Sequence, residues 1–303
     1  MSDTIRISEK FLSNQGEGYR TGVKSIFVRM FLCNLKCPGF GLCKGEQNTE
    51  IPAIIEKIDQ YKNYFELPIS KTGCDSYPSS WGEFKQFSPE LSYEQLAESL
   101  IELCNNDCEH TDLVITGGEP LLKPTQKKLV AFFEQHRDLI NRFQCLTFET
   151  NGTQIITEEM QNWLAIRCKI PVIFSISPKL DCSGEPAKKR VVPAAIQSIK
   201  QTVAQIRDDN SVVHKKRAGI LSDSLMYLKY VVKDEDDVKE ALDNASQLGF
   251  EKDVDGDIYL MPVGGTFEEY MRNQQPVADL AIKYNCIFCI REHVCVYRNQ
   301  WMR

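Results

Sequence analysis

The sequence predicts an α/β chain built on a partial (βα)6, TIM-like barrel, and three observations carry that prediction. Six apolar runs, at 25–30, 112–116, 145–149, 172–176, 226–232 and 257–261, read as strands. Several are apolar almost throughout, as parallel strands buried on both faces are. Amphipathic runs near 92–108, 123–140, 157–166, 192–208, 234–248 and 266–284 follow them as helices. A repeating βα order forms parallel strands with right-handed crossovers. The chemistry-bearing blocks then fall just past the strands, on the rim where barrel enzymes place their sites.

Taken in order, the helix near 92–108 has the clearest start. Ser92 and Gln95 match a capping box, and Leu91 with Leu96 can form the hydrophobic staple in front of it. Two segments interrupt the βα order. The first, 38–73, carries an amphipathic stretch at 51–65 whose apolar residues Ile51, Ile54, Ile55, Ile58 and Tyr61 follow a helical period. The second, 181–223, is polar and leans basic, with Lys188, Lys189, Arg190, Lys215, Lys216 and Arg217. It reads as a solvated loop and helix face, with a lid or partner surface as the alternative. The chain, 1–303, reads as a single domain carrying these two insertions, without internal repeats or low-complexity tracts.

Composition narrows the class of function. The 36 basic and 42 acidic residues leave a net charge of −6 with no long run of one sign, which argues against a direct grip on a nucleic-acid backbone. No stretch of about 18 apolar residues is present, and 1–10 has no signal-peptide apolar region, so a cytoplasmic protein without a membrane anchor is expected. The chain has 12 cysteines. In that compartment they imply reduced thiols and metal ligation more than a disulfide framework.

Cys33 and Cys37, in VRMFLCNLKC, lie just past the first strand. Two thiolates so spaced on a loop reach one centre, and soft sulfur selects an iron–sulfur cluster or zinc. Around them, in order, stand QGEG at 15–18, FVR at 27–29, ITGGEP at 115–120, ETNGT at 149–153, SPK at 177–179, LKYVV at 228–232 and YLMP at 259–262. This ordered set resembles the radical S-adenosylmethionine enzymes and, within them, the 7-carboxy-7-deazaguanine synthase family. The likeness covers about 12–299 in separated blocks, and the combination is specific where no single block is.

The resemblance implies one four-iron, four-sulfur cluster, S-adenosylmethionine and Mg²⁺, acting on a carboxylated tetrahydropterin. The family pattern CxxxCxxC is broken here by Phe40. The third thiolate is therefore Cys74 or Cys43. The context CDSY followed by Trp81 favours Cys74, and only proximity favours Cys43. Three cysteines leave one iron open for the cofactor. Ser76 stands where the family has a magnesium-binding threonine, and its hydroxyl can serve the same ion. By the same resemblance Gly117, Gly118 and Glu119 meet the methionine part of the cofactor, with Glu119 receiving its ammonium. Thr150, Asn151, Ser177, Lys179 and Lys229 complete the cofactor side. Lys229 lies inside an apolar strand, where burying it unpaired is expensive, so an internal acid or a ligand carboxylate should face it.

At the substrate end, Gln15 and Glu17 complement the amino-pyrimidinone edge of a pterin. Arg29 can hold its carboxylate through a bidentate pair. Arg291 and His293 match a C-terminal family segment and would close the pocket. The resemblance also implies an electron donor such as a flavodoxin and allows a homodimer. Cys286, Cys289 and Cys295 beside His293 read as core residues, with zinc or a second cluster as the alternative; Cys104 and Cys108 read as packing or incidental, and Cys145, Cys168 and Cys182 carry no spacing signal. Two other functions share part of this pattern. A glycyl-radical activating enzyme would not require QGEG, Arg29 or ETNGT, and an inactive metal-binding relative would need no intact site.

Overall fold

Nine strands make the sheet in the computed structural model, which describes residues 3–208 and 225–298. They are β1 (Thr4–Asn14), β2 (Lys24–Met30), β3 (Glu90–Ser92), β4 (Asp112–Gly117), β5 (Leu146–Thr150), β6 (Val172–Ile176), β7 (Leu225–Val232), β8 (Ile258–Pro262) and β9 (Ile287–Phe288). Their order in the sheet is β3-β1-β2-β4-β5-β6-β7-β8-β9. Each neighbouring pair from β2 to β9 is parallel, while β1 runs antiparallel to β2 and β3. The fold is thus mixed α/β. The six strands expected from the apolar runs are β2 and β4 to β8, side by side in chain order.

β1, β3 and β9 were not among the expected strands. In β1 the alternation of inward and outward residues is broken by a register shift between Ile7 and Glu9, which buries Ser8 and Glu9 in succession. A bulge of this kind erases the period by which a half-buried strand is read. β3 and β9 have three and two residues, too few for any period.

Helices follow the strands as expected: Tyr93–Leu103, Lys123–Gln135, Glu158–Asn162, Pro193–Asp208, Glu235–Gln247 and Phe267–Lys283. The capping box at Ser92 is formed, with Gln95 N donating to the Ser92 hydroxyl at 3.1 Å and Ser92 N donating to Gln95 Oε1 at 2.9 Å. The main core lies between these helices and the sheet, where Phe148 and Phe174 stack at 5.4 Å. Cys104, Cys108, Cys145 and Cys168 are buried in apolar surroundings. No helix among the described residues is long and apolar enough to cross a membrane.

The stretch 51–65 is helical only over Glu50–Ile55 and continues as 3-10 turns at Ile58–Gln60 and Tyr64–Glu66. The helix stops at its cap Glu56 and the first 3-10 turn stops at an extended Tyr61; Asn63, also extended, accepts from Phe65 N and starts the next turn. The apolar face survives the break. Ile51, Ile54, Tyr64 and Leu67 pack with Tyr77, Trp81, Phe84 and Phe87 as a second apolar cluster. Burying such side chains contributes about 1.5–3 kcal/mol each, which outweighs the small propensity of a short helix. In the second inserted segment Arg190 is buried rather than solvated, pairing with Glu240 at 3.0 Å and Asp181 at 3.5 Å. Lys215, Lys216 and Arg217 lie outside the described residues.

Candidate active site

A cavity of about 340 Å³ opens past the C-terminal ends of β2 and β4 to β8. Arg29, Gly117, Thr150, Ser177, Lys229 and Val263 bring those ends to its wall, and loops add Gln15, Glu17, Gly118, Asn151 and Lys179. Residues 15 and 293 stand at opposite ends of the chain, yet both line it.

Charge concentrates around Glu17. Lys229 Nζ meets Glu17 Oε2, Arg291 Nε donates to Glu17 Oε1 at 3.2 Å, and His293 Nε2 lies 4.0 Å from the same oxygen. Burial alone would raise the Glu17 carboxyl, but Lys229 and then Arg291 hold it well below the usual carboxylate range. Burial would likewise deprotonate Lys229, and Glu17 with Glu149 reverses that and keeps it charged. The buried lysine therefore has the internal acid its setting demanded. Arg291 also donates to Asp75 Oδ2 at 3.0 Å and to the Gly264 carbonyl at 3.2 Å, so one guanidinium ties the QGEG turn to the loop after Cys74. That turn needs its glycine at 18: φ is +72°, and a Cβ there would lie 2.2 Å from the Tyr227 hydroxyl.

Two further groups face the same space. Gln15 Nε2 donates to Glu149 Oε1 at 3.2 Å, and the Thr116 hydroxyl donates to Glu149 Oε2 at 2.7 Å. Arg29 Nε donates to Glu9 Oε2 at 2.8 Å, while the guanidinium lines the cavity beside them.

The same cavity carries sulfur. Cys33, Cys37 and Cys74 all line the cavity, whereas Cys43 is exposed and away from it, its backbone N donating to Glu46 Oε2 at 3.1 Å. Burial pushes the Cys33 thiol up to about 12, and those of Cys37 and Cys74 upward too. Such thiols become thiolates when a cationic centre binds them, and three soft donors with Lys179 nearby suit an iron–sulfur cluster. The loop that carries them is conformationally unusual: Leu32 and Cys37 hold φ of 84° and 47°, rare for residues with a side chain. Ser76 lines the cavity two residues past Cys74, its hydroxyl 3.3 Å from Asp75 Oδ1, so oxygen donors suited to Mg²⁺ adjoin the sulfur wall. Among the described residues, no three His, Cys, Asp or Glu side chains converge as for a single metal ion. Cys286, Cys289 and Cys295 turn to separate neighbours, Tyr284 O, Gly18 N and Gln274 Nε2.

Glu119 is fully buried behind this wall rather than lining it. Its carboxylate accepts from Leu121 N at 2.9 Å, the Thr150 hydroxyl at 2.7 Å and Asn151 N at 2.7 Å. It braces Thr150 and Asn151, and Asn151 in turn donates to Asn34 Oδ1 at 3.0 Å beside Cys33. The glycines before it serve the chain's own backbone: Gly117, with φ of +129°, would place a Cβ 2.2 Å from Met30 O. Ser177 Oγ accepts from Lys179 Nζ at 3.2 Å, and that ammonium sits 5.8 Å over the Phe40 ring, the residue that interrupts the cysteine pattern.

Sequence reasoning missed Glu9, Asp75, Thr116 and Glu149 as cavity residues. Glu149, Thr116 and Asp75 lie inside blocks already singled out, ETNGT, ITGGEP and CDSY. Glu9 carried no signal, because only the bulge turns it inward.

No protein-family model matches the chain. It is similar to the 7-carboxy-7-deazaguanine synthase of Rhodopirellula baltica, at 26% identity over 98% of this chain and 88% of that protein. A protein of the same name from Halobacterium salinarum is 28% identical over 97% of this chain and 91% of its own. Among solved structures, the crystal structure of QueE from Escherichia coli covers 96% of this chain and 95% of that chain, with a TM-score of 0.51 and 20% identity. That last likeness is one of fold.

Proposed function

We infer that this chain belongs with the 7-carboxy-7-deazaguanine synthases and converts 6-carboxy-5,6,7,8-tetrahydropterin to 7-carboxy-7-deazaguanine and ammonia, a ring contraction in queuosine and other 7-deazapurine biosynthesis. Similarity to proteins of that name over nearly the whole chain supports the reading. The observation that carries it is the gathering of QGEG, Arg29, the cysteine loop, TGG, TNG, SPK, Lys229 and Arg291 around one cavity. As lyase chemistry of the radical S-adenosylmethionine type, it would use a partial barrel in a single domain. Cys33, Cys37 and Cys74 would hold one four-iron cluster, with S-adenosylmethionine along Gly117, Gly118, Thr150, Asn151, Ser177 and Lys179, and Mg²⁺ at Ser76. When bound, cluster and cofactor together supply the single electron and the hydrogen-abstracting radical that start the rearrangement.

The chain's own residues do the rest. Arg29, with Nε committed to Glu9, keeps its outer nitrogens for the pterin carboxylate. Gln15 and Glu149 present an amide and a carboxylate to the amino-pyrimidinone edge. Glu17, held ionised by Lys229 and Arg291, fixes the end of the pocket and keeps both cations in place. Glu119 works from behind, setting the backbone of Thr150 and Asn151. The family resemblance implies a free pterin substrate, an electron donor such as a flavodoxin and a possible homodimer, while an acidic chain with no long basic run does not suit a nucleic acid.

The test is anaerobic reconstitution with iron and sulfide, followed by assay of S-adenosylmethionine cleavage and of 7-carboxy-7-deazaguanine with the carboxylated pterin. Cys33→Ala, Cys37→Ala and Cys74→Ala should each lose the visible cluster absorbance and the product, while Cys43→Ala keeps both. A cluster that survives Cys74→Ala would overturn the ligand set, and absence of product from the intact protein would overturn the function.

A further inference from the structure

The stretch between Cys37 and Cys74 reaches the cavity in two ways. Its last residues, Ile69, Ser70, Lys71 and Gly73, are part of the wall. Earlier in the stretch, Tyr64 is buried behind that wall, next to the Glu9–Arg29 pair.

That pair is a product of strand register. Glu9 of β1 stands directly opposite Arg29 of β2, and the bulge after Ile7 turns it to the inner face. The Glu9 side chain is only 2% exposed, against 22% for Arg29. Arg29 Nε occupies Glu9 Oε2, and the other carboxylate oxygen, Oε1, is buried with no hydrogen-bond partner within normal reach among the described residues. The Tyr64 hydroxyl is the group placed beside it. Burial, and then the Glu9 charge, push that phenol well above its ordinary range, so it stays a proton donor. A guanidinium anchored only through Nε can pivot about that bond. A carboxylate held from its far side cannot follow the pivot, and the outer edge of Arg29 then keeps one direction.

We propose that Tyr64, supplied by the inserted stretch, is a positioning residue that locks Glu9 and thereby aims the outer edge of Arg29 at the substrate carboxylate. This rests on the pterin reading above. It also gives the insertion a role at the substrate end, although it is strung between two candidate cluster ligands.

Tyr64→Phe keeps the ring in the second apolar cluster and removes only the hydroxyl. Calorimetric titration of the reconstituted protein, with S-adenosylmethionine present, should show the Kd for 6-carboxytetrahydropterin rising on the order of tenfold, the scale of one hydrogen bond to a charged group. The Kd for the same tetrahydropterin without its carboxylate should not move. Arg29→Lys should abolish the preference for the carboxylate by itself, and adding Tyr64→Phe to it should cost nothing more. A readout independent of ligand is the exchange of the Arg29 Nε–H with water by ¹⁵N NMR, which should quicken in Tyr64→Phe. Equal loss of affinity for both pterins, or unchanged carboxylate preference with unchanged exchange, overturns the role of Tyr64 while leaving the pterin reading intact. If the intact protein binds neither pterin, the pterin reading fails and this role fails with it.

Discussion

His293 faces Glu17 from 4.0 Å and yet is held neutral. Burial first, and then the Arg291 charge, bring its pKa down from 6.5 to about 4. The sign of the consequence follows from proton counting. Between pH 6.5 and about 4 the unfolded chain carries a proton on this ring that the folded chain refuses, so stability rises with pH across that window. The contribution is complete above 6.5 and is lost as pH falls towards 4. Glu17 acts separately: its depressed carboxyl contributes stability that is complete above its ordinary value of 4.5 and lost only at more acid pH. His293→Gln should therefore flatten the slope of urea-unfolding stability between pH 6.5 and 4 and leave the steeper acid limb in place. Parallel slopes for the two proteins would show that another group titrates there. At this scale the sequence made it readable that Cys33, Cys37, Cys74, Gln15, Glu17 and Arg29 would share one cavity and that Lys229 needs an acid, because each departs from what a core or surface position tolerates. It could not show that Glu119 turns away from the cavity to brace Thr150 and Asn151, since both uses of a glutamate look alike in a string of letters.

β2 and β4 to β8 were legible because both faces of each are buried, which leaves an apolar run with no competing period. β1 escaped because its bulge exchanges inward and outward positions midway. The 51–65 stretch was half legible: its apolar face is real but its helix stops at Ile55, since tertiary packing chose the burial while the chain turns extended at Tyr61 and Asn63. The second apolar cluster is thus the element that decides where Cys74 sits, because Cys74 packs against it. Ile51 is fully buried there. Ile51→Ala should cost about 2–5 kcal/mol, the range for a large core side chain cut to alanine. In a Cys43→Ser background without cluster, it should also speed modification of Cys74 by a thiol reagent, followed by peptide mass mapping. Loss of stability with an unchanged Cys74 rate would mean that the loop after Gly73 is held by other contacts.

Across the whole molecule, the sheet order explains why separated blocks can form one site. Parallel strands in chain order present all their C-terminal ends on one side, so each motif that follows a strand arrives at the same cavity whatever its distance in sequence. QGEG joins from the antiparallel side and the Arg291 segment from beyond β9, which closes the rim with the chain's two ends. Such a site, with acid, amide and buried thiols lining one cavity, suits the proposed flat heterocycle with one carboxylate whose ring is rearranged in place. The reaction expected of it conserves its hydrogen: the atom removed from the carboxylate-bearing ring carbon returns to the product side, and the cofactor is used catalytically. With substrate deuterated at that carbon, deuterium should accumulate in recovered S-adenosylmethionine by mass spectrometry, with one ammonia released per product. Cofactor consumed one-for-one with product would mean that the radical is not returned. A glycyl radical raised on an added protein, with the pterin untouched, would move the chain to the activating enzymes, whose substrate is a polypeptide and for which Gln15, Arg29 and Glu149 would have no work.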